Sequence, residues 1–144
     1  MWSKAYGGGT GEVANSVQRT SDGAYIVSGE SKGDMLLMKV GQDGMVNWTK
    51  TYGGASGDAG YSVKKTADSG YIISGTTYSF GAGNKDAYLV KVDQAGTVAW
   101  SKAYGTSGED TGNSVIQSGD GGYALTGKSS QDFVLMKLDS GGNF

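Results

Sequence analysis

The chain has 144 residues, 27 of them glycine and none proline, cysteine or histidine, with a formal net charge of −2. Without cysteine or histidine there is no Cys/His zinc site, thiolate nucleophile, disulfide or histidine-based triad. The balanced charge leaves no electrostatic footprint for nucleic acid or anionic lipid, and no apolar run approaches the ~18 residues of a membrane-spanning helix. Glycine without proline, set between short apolar runs, points to many tight turns and an all-β chain.

The chain opens on Met1-Trp2-Ser3-Lys4-Ala5-Tyr6-Gly7, in which Trp, Lys and Tyr fall two apart. An extended strand sends all three from one face. The stretch returns as Val46-Asn47-Trp48-Thr49-Lys50-Thr51-Tyr52-Gly53 and as Val98-Ala99-Trp100-Ser101-Lys102-Ala103-Tyr104-Gly105, with the Trp residues 46 and 52 apart. Such a period signals a repeat architecture. Gly7 to Gly11 follows, but no Gly-Lys-Ser/Thr comes after it, so it reads as loop glycine and not a phosphate cradle.

Next comes a short strand, Asn15 to Gln18, matched by Tyr61 to Lys64 and Asn113 to Ile116. Turns built on Asp22-Gly23, Asp68-Ser69-Gly70 and Asp120-Gly121-Gly122 lead into second strands beginning at Tyr25, Tyr71 and Tyr123. Such turn residues accept left-handed backbone and bond their own main chain. Third strands span Asp34 to Val40, Asp86 to Val92 and Asp132 to Leu138, apolar on both faces and so covered from both sides. The Trp-x-Lys-x-Tyr stretch is the fourth strand. No segment carries a helical period, so no helix is expected. The reading is a single domain, 1–144, of three repeats at 1–46, 47–98 and 99–144, with a longer loop, Thr76 to Lys85, in the middle copy.

Repeated four-stranded antiparallel units describe β-propeller blades. The Trp-x-Lys-x-Tyr-Gly, Asp-Gly-x-Tyr-Ile-x-Ser-Gly and Asp-x-Tyr-Leu-x-Lys-Val-Asp signatures resemble the propeller repeats of large secreted and cell-surface proteins of bacteria and archaea. The resemblance covers all three copies. It implies a secreted or cell-surface setting and names no activity; the expected role, a scaffold or binding module, is a separate reading of the chain.

A closed propeller typically has about four to eight blades. Two copies of this chain would give six and three would give nine, so a homodimer is expected, with a homotrimer as the alternative. The third blade has no complete outer strand of its own: Asn143 and Phe144 begin one, and Met1, Trp2, Lys4 and Tyr6 are the matching remainder. These six residues are the expected oligomer seam, with the strand supplied in trans. Beginning and ending at abutting register positions also fits a piece excised or engineered from a longer array.

No catalytic residue, metal site or cofactor is assigned. Trp2, Trp48 and Trp100, with the three Tyr of the second strands, read as packing between blades in preference to a sugar platform. The Lys4, Lys50, Lys102 and Lys39, Lys91, Lys137 sets read as structural, their stems on aromatics and their ammonium groups in water or paired with Asp. Asp34, Asp86 and Asp132 are expected to bond Ser16, Ser62 and Ser114. Glu12, Asp58 and Asp110 lie in glycine-rich loops without calcium-loop spacing. The feature that breaks the threefold pattern is the middle loop, where Tyr78, Phe80, Asn84 and Lys85 are the candidate contact residues for a glycan or surface protein. The rival readings are a lectin-like propeller and a carboxylate-based polysaccharide enzyme. The recurrence of nearly every acidic residue in all three copies argues against the asymmetric carboxylate pair that the enzyme needs.

Overall fold

Residues 1–9 and 11–144 are described in a computed structural model, and all their regular structure is strand. The first sheet holds β1 (Val13–Arg19), β2 (Tyr25–Ser31), β3 (Asp34–Val40) and β4 (Val46–Tyr52), antiparallel and in sequence order. The second holds β5 (Asp58–Lys65), β6 (Tyr71–Thr77), β7 (Asp86–Val92) and β8 (Val98–Tyr104) in the same order. The third holds β9 (Asp110–Gln117), β10 (Tyr123–Ser129) and β11 (Asp132–Leu138). It therefore has three strands, the fourth-strand stretch of the third repeat being incomplete as the split Trp-Lys-Tyr repeat implied. The outer strands of the other two sheets are seven residues long, whereas only Asn143 and Phe144 follow the turn after β11.

The turns are made by the residues that signalled them. In the β1–β2 connection Asp22 Oδ1 accepts from Thr20 Oγ1 and, at 3.4 Å, from the Ala24 N–H. Asp68 and Asp120 do the same with Thr66 and Gly70 and with Ser118 and Gly122. Lys32 and Gly33, with φ of 54° and 85°, close the β2–β3 hairpin as a two-residue turn of left-handed residues. Gly29, Gly75 and Gly127 sit at the register shifts between each first and second strand. A Cβ there would stand 1.8, 1.7 and 1.7 Å from the carbonyl oxygens of Val13, Ala59 and Thr111, so no larger residue fits.

The sheets pack face to face in chain order. The first core layer joins Ile26, Met35 and Leu37 of the first sheet to Val63, Tyr71, Ile73, Tyr88, Val90 and Val92 of the second. The second layer joins Ile72, Ala87 and Leu89 to Val115, Tyr123, Leu125 and Leu138. Each such fully buried side chain contributes about 1.5–3 kcal/mol of transfer free energy. Polar bonds follow the same step: Asp58 N donates to Gly33 O at 2.6 Å, and Asp110 N to Lys85 O at 2.7 Å. The first strands β1, β5 and β9 touch in succession, which places them innermost, as blades set round an axis require.

Candidate functional site

The Trp-x-Lys-x-Tyr strands dock on the sheet that follows them, always against the turn after its third strand. Tyr52 on β4 donates its hydroxyl to Gly96 O at 2.8 Å, and Tyr104 on β8 donates to Gly142 O at 2.7 Å. Burial pushes both phenols well above the ordinary tyrosine range. Trp48, Lys50 and Tyr52 lie over Gly96, and Trp100 and Tyr104 lie over Gly142. These glycines have φ of 80° and 75°, so the site needs glycine for its backbone and for its lack of a Cβ.

Met1 to Tyr6 make the same contact without being part of a sheet. Tyr6 donates to Gly44 O at 3.0 Å, Trp2 Nε1 to Gln42 O at 2.7 Å and Lys4 Nζ to Asp43 O at 3.1 Å. Gly44, with φ of 75°, lies under Trp2 and Lys4. Trp2 stands edge-on to Tyr25 at 6.3 Å, as Trp100 does to Tyr123 at 5.6 Å. The segment thus occupies, on the first sheet, the place that β4 takes on the second and β8 on the third. Among the described residues its backbone hydrogen-bonds to no strand.

The two outer ends of the stack expose what its interior buries. On the third sheet Phe133 and Leu135 are 87% and 71% exposed, while their register mates Met35, Leu37, Ala87 and Leu89 are all at 0%. On the first sheet Val17 is 62% exposed, whereas Val63 and Val115 are at 0% and 1%. An apolar groove of about 700 Å³ runs along that first face between the N-terminal segment and β1, lined by Tyr6, Val13, Val17, Val27, Leu36 and Met38. In the equivalent place on the second sheet, Met35 and Leu37 pack against Val63, Ile73 and Val90.

The lysines of the third strands pair with the turn aspartates: Lys39 with Asp22 at 2.7 Å, Lys91 with Asp68 at 2.8 Å and Lys137 with Asp120 at 2.6 Å. The first two lysine side chains are buried and the third is half exposed, since among the described residues no sheet packs on the third as the third packs on the second. The hydrogen bond from Lys39 holds Asp22 well below the usual carboxylate range. Asp68 rests at about 2, where burial raises it but the bonds from Lys91, Thr66 and the Gly70 N–H together pull harder the other way. Asp120 is likewise lowered, chiefly by Lys137.

The expected Asp–Ser network takes another form. Ser16 Oγ accepts from the Val63 N–H of the next sheet, at 3.3 Å. Asp58 Oδ2 accepts from Gly54 N at 2.9 Å and Ser79 Oγ at 2.8 Å, and Asp110 Oδ2 from Thr106 N at 2.8 Å. Asp86 Oδ2 takes the Gly83 N–H at 3.2 Å. Each carboxylate thus fastens a neighbouring loop, and strand residues could not announce this because main-chain N–H groups of those loops are among the donors. Among the described residues no three acidic side chains converge as a metal cluster would. Thr10, within the Gly7 to Gly11 loop, lies outside the described residues.

The middle loop touches the protein at a few points and leaves Tyr78, Phe80 and residues 81–84 partly or wholly exposed. Phe80 packs against Tyr88 with ring centroids 5.6 Å apart, and Ser79 Oγ donates to Ser56 O at 3.1 Å. Lys85 Nζ stands 5.9 Å over the Tyr78 ring. Tyr78 and Lys85 share with Glu30, Asp58, Tyr61 and Thr76 a cleft of about 160 Å³, below the ~300 Å³ of ordinary small-molecule pockets. Asn84 is exposed beside it. Of the four loop residues, Tyr78 and Lys85 share this cleft, while Phe80 lies on Tyr88 with its other side open and Asn84 is exposed. The N-terminal segment and the two open faces are the stronger candidate, and their signal in the sequence was the split Trp-Lys-Tyr repeat.

No family model matches the chain, and no curated protein matches it.

Proposed function

We propose that this chain is a non-catalytic β-propeller scaffold that completes its ring with further copies of itself, six blades from two copies. The repeats are read as those of secreted and cell-surface propeller arrays. The observation that carries the reading is the mismatch at the two ends: Phe133 and Leu135 on one face and Val17 on the other are exposed at register positions that are buried between the sheets of a single chain. Large contiguous apolar faces mark association surfaces. The face that Phe133 and Leu135 project from is the same face by which the first sheet meets the second and the second meets the third.

Two further observations favour scaffold over enzyme. The buried carboxylates Asp58 and Asp110 are engaged by loop N–H groups at equivalent places, those of Gly54 and Thr106. The accessible ones, Asp22, Asp68 and Asp120, are paired with lysines in all three copies. A repeated carboxylate fastening a repeated loop is what folding demands, whereas acid–base catalysis needs two carboxylates of opposed character at one place.

Light scattering coupled to size exclusion tests the reading. The chain mass is 14.8 kDa, so the expected species has about twice that mass and persists on dilution through the micromolar range, as interfaces of ordinary size do. A species of three times the mass corrects the blade number and keeps the assembly. A monomer at every concentration overturns the proposal.

A further inference from the structure

The geometry points to a specific exchange: we infer that Met1 to Tyr6 of one copy is the missing outer strand of the third sheet of another. This rests on the self-assembly reading and goes beyond it by naming the strand, its acceptor and the pairing register. The third sheet ends at β11, whose outward edge pairs with no strand among the described residues. Unpaired edge N–H and C=O groups are a ready template for a further strand.

The argument is continuity with two interfaces already present in the chain. Between first and second sheets, β4 does two things: its backbone pairs with β3, and its Trp48, Lys50 and Tyr52 side chains seat on the Gly96 turn. Between second and third, β8 pairs with β7 while Tyr104 seats on Gly142. Met1 to Tyr6 perform the second task alone, with Tyr6 and Trp2 seated at Gly44. The β11 edge is the first task waiting for a strand. A copy whose third sheet stacks on another copy's first sheet brings β11 beside the segment that already lies there. Phe133 and Leu135 then enter the groove lined by Val13, Val17 and Met38, as Met35 and Leu37 enter the layer beside Val63 and Val90.

The register follows from the two complete sheets. Met35 faces Tyr52, Leu36 faces Thr51, Met38 faces Thr49 and Lys39 faces Trp48. Ala87, Tyr88, Val90 and Lys91 face Tyr104, Ala103, Ser101 and Trp100 in the same way. Carried to the seam, Phe133 faces Tyr6, Val134 faces Ala5, Met136 faces Ser3 and Lys137 faces Trp2 of the second copy. The segment is pre-seated on its own first sheet, so less ordering remains to be done on pairing than for a free tail.

The chain has no cysteine, so an introduced pair is the sole pair of thiols. Directly opposed strand residues fall within the roughly 4.4–6.8 Å Cα separation a disulfide needs. The double variant Ala5→Cys with Val134→Cys, oxidised under mild conditions, should run as a chain-to-chain linked species on non-reducing gels. Ala5→Cys with Met136→Cys, two residues out of register, should link at least tenfold less. Mixing the Ala5→Cys and Val134→Cys single variants should give a linked species of twice the chain mass. If the protein is oligomeric by light scattering but 5 and 134 do not link, the strand inference falls and self-assembly stands. If the 5/136 pair links as readily as 5/134, the register is wrong. If 5 and 134 link only within one chain, the exchange between copies is wrong. If the protein is monomeric, both readings fall together. Hydrogen exchange on the unmodified chain gives an independent measurement: amides of β11 should be protected in the oligomer as those of β7 are, and rapid exchange along β11 overturns the inference.

Discussion

Replacing each of three left-handed glycines by alanine separates backbone strain from docking at the seam. Gly121, with φ of 83° and nothing within 4 Å of a built Cβ, reports the backbone term alone, about 1 kcal/mol. Gly96 has nearly the same φ, 80°, but its Cβ would stand 3.1 Å from Lys50 Cγ, 3.1 Å from the Tyr52 hydroxyl and 3.2 Å from Trp48. Overfilling such a contact costs about 1–3 kcal/mol more. With roughly 2–4 °C of melting temperature per kcal/mol for a chain of this size, Gly121→Ala should lower the transition by about 3 °C and Gly96→Ala by about 9 °C. Gly44 is the informative case, because its Cβ would meet Trp2 at 2.9 Å and Lys4 at 3.1 Å. Where Met1 to Tyr6 are held in a sheet they cannot lift away, and Gly44→Ala should behave like Gly96→Ala. Where they are held only by their side chains they swing clear, and it should behave like Gly121→Ala. Thermal melts followed by circular dichroism at fixed concentration give the three numbers. Equal shifts for Gly96→Ala and Gly121→Ala would refute the docking argument itself.

Leu89→Ala should lose about 2–5 kcal/mol by denaturant melts, as buried leucines do. Leu135→Ala should leave the isolated chain within about 0.5 kcal/mol of the parent and instead weaken the oligomer on dilution. Tyr52→Phe and Tyr104→Phe each strand a buried glycine carbonyl and should cost about 1–3 kcal/mol; a loss under 0.3 kcal/mol would mean the hydroxyl bonds are not made in solution. On acidification, the depressed Asp68 contributes stability that is full above its ordinary value near 3.9 and is lost as pH falls through about 2. Because the Asp68 side chain is largely exposed, solvent screening keeps that contribution under about 1 kcal/mol. Lys91→Met should therefore flatten the stability profile between pH 4 and pH 2, and an unchanged profile would remove the pair from the account.

Strand positions were legible because they rest on local chemistry. The third strands lie at Asp34–Val40, Asp86–Val92 and Asp132–Leu138, as the apolar runs and their opening aspartates predict. The first strands are longer than the patterns implied: β5 begins at Asp58 and β9 at Asp110, not at Tyr61 and Asn113. Those extra residues, Asp58-Ala59-Gly60 and Asp110-Thr111-Gly112, are small types with no apolar alternation to reveal them. They are extended because Asp58 N and Asp110 N bond carbonyls of the preceding sheet, a partner that sequence cannot display. The lysine–aspartate pairs were half legible. An aspartate in a turn and a lysine on a strand two elements later were visible, but their contact depends on the β2–β3 register. In the middle loop the aromatics were legible but their contacts were not: Phe80 packs one side on Tyr88 and leaves the rest of its ring exposed.

The position shared by Met35, Ala87 and Phe133 has a consequence for shape. It lies on the face each sheet turns toward the next, and its occupants run from a methyl to a benzyl group. A contact between the end of one copy and the start of another is head-to-tail, and it either meets itself as a ring or runs on as a fibre, according to the rotation made at each step. The side chain at this position sits between the sheets and helps to set that rotation. If copies join in this way, Phe133 would sit in the joint, and its side-chain volume would bear on whether the assembly closes or runs on.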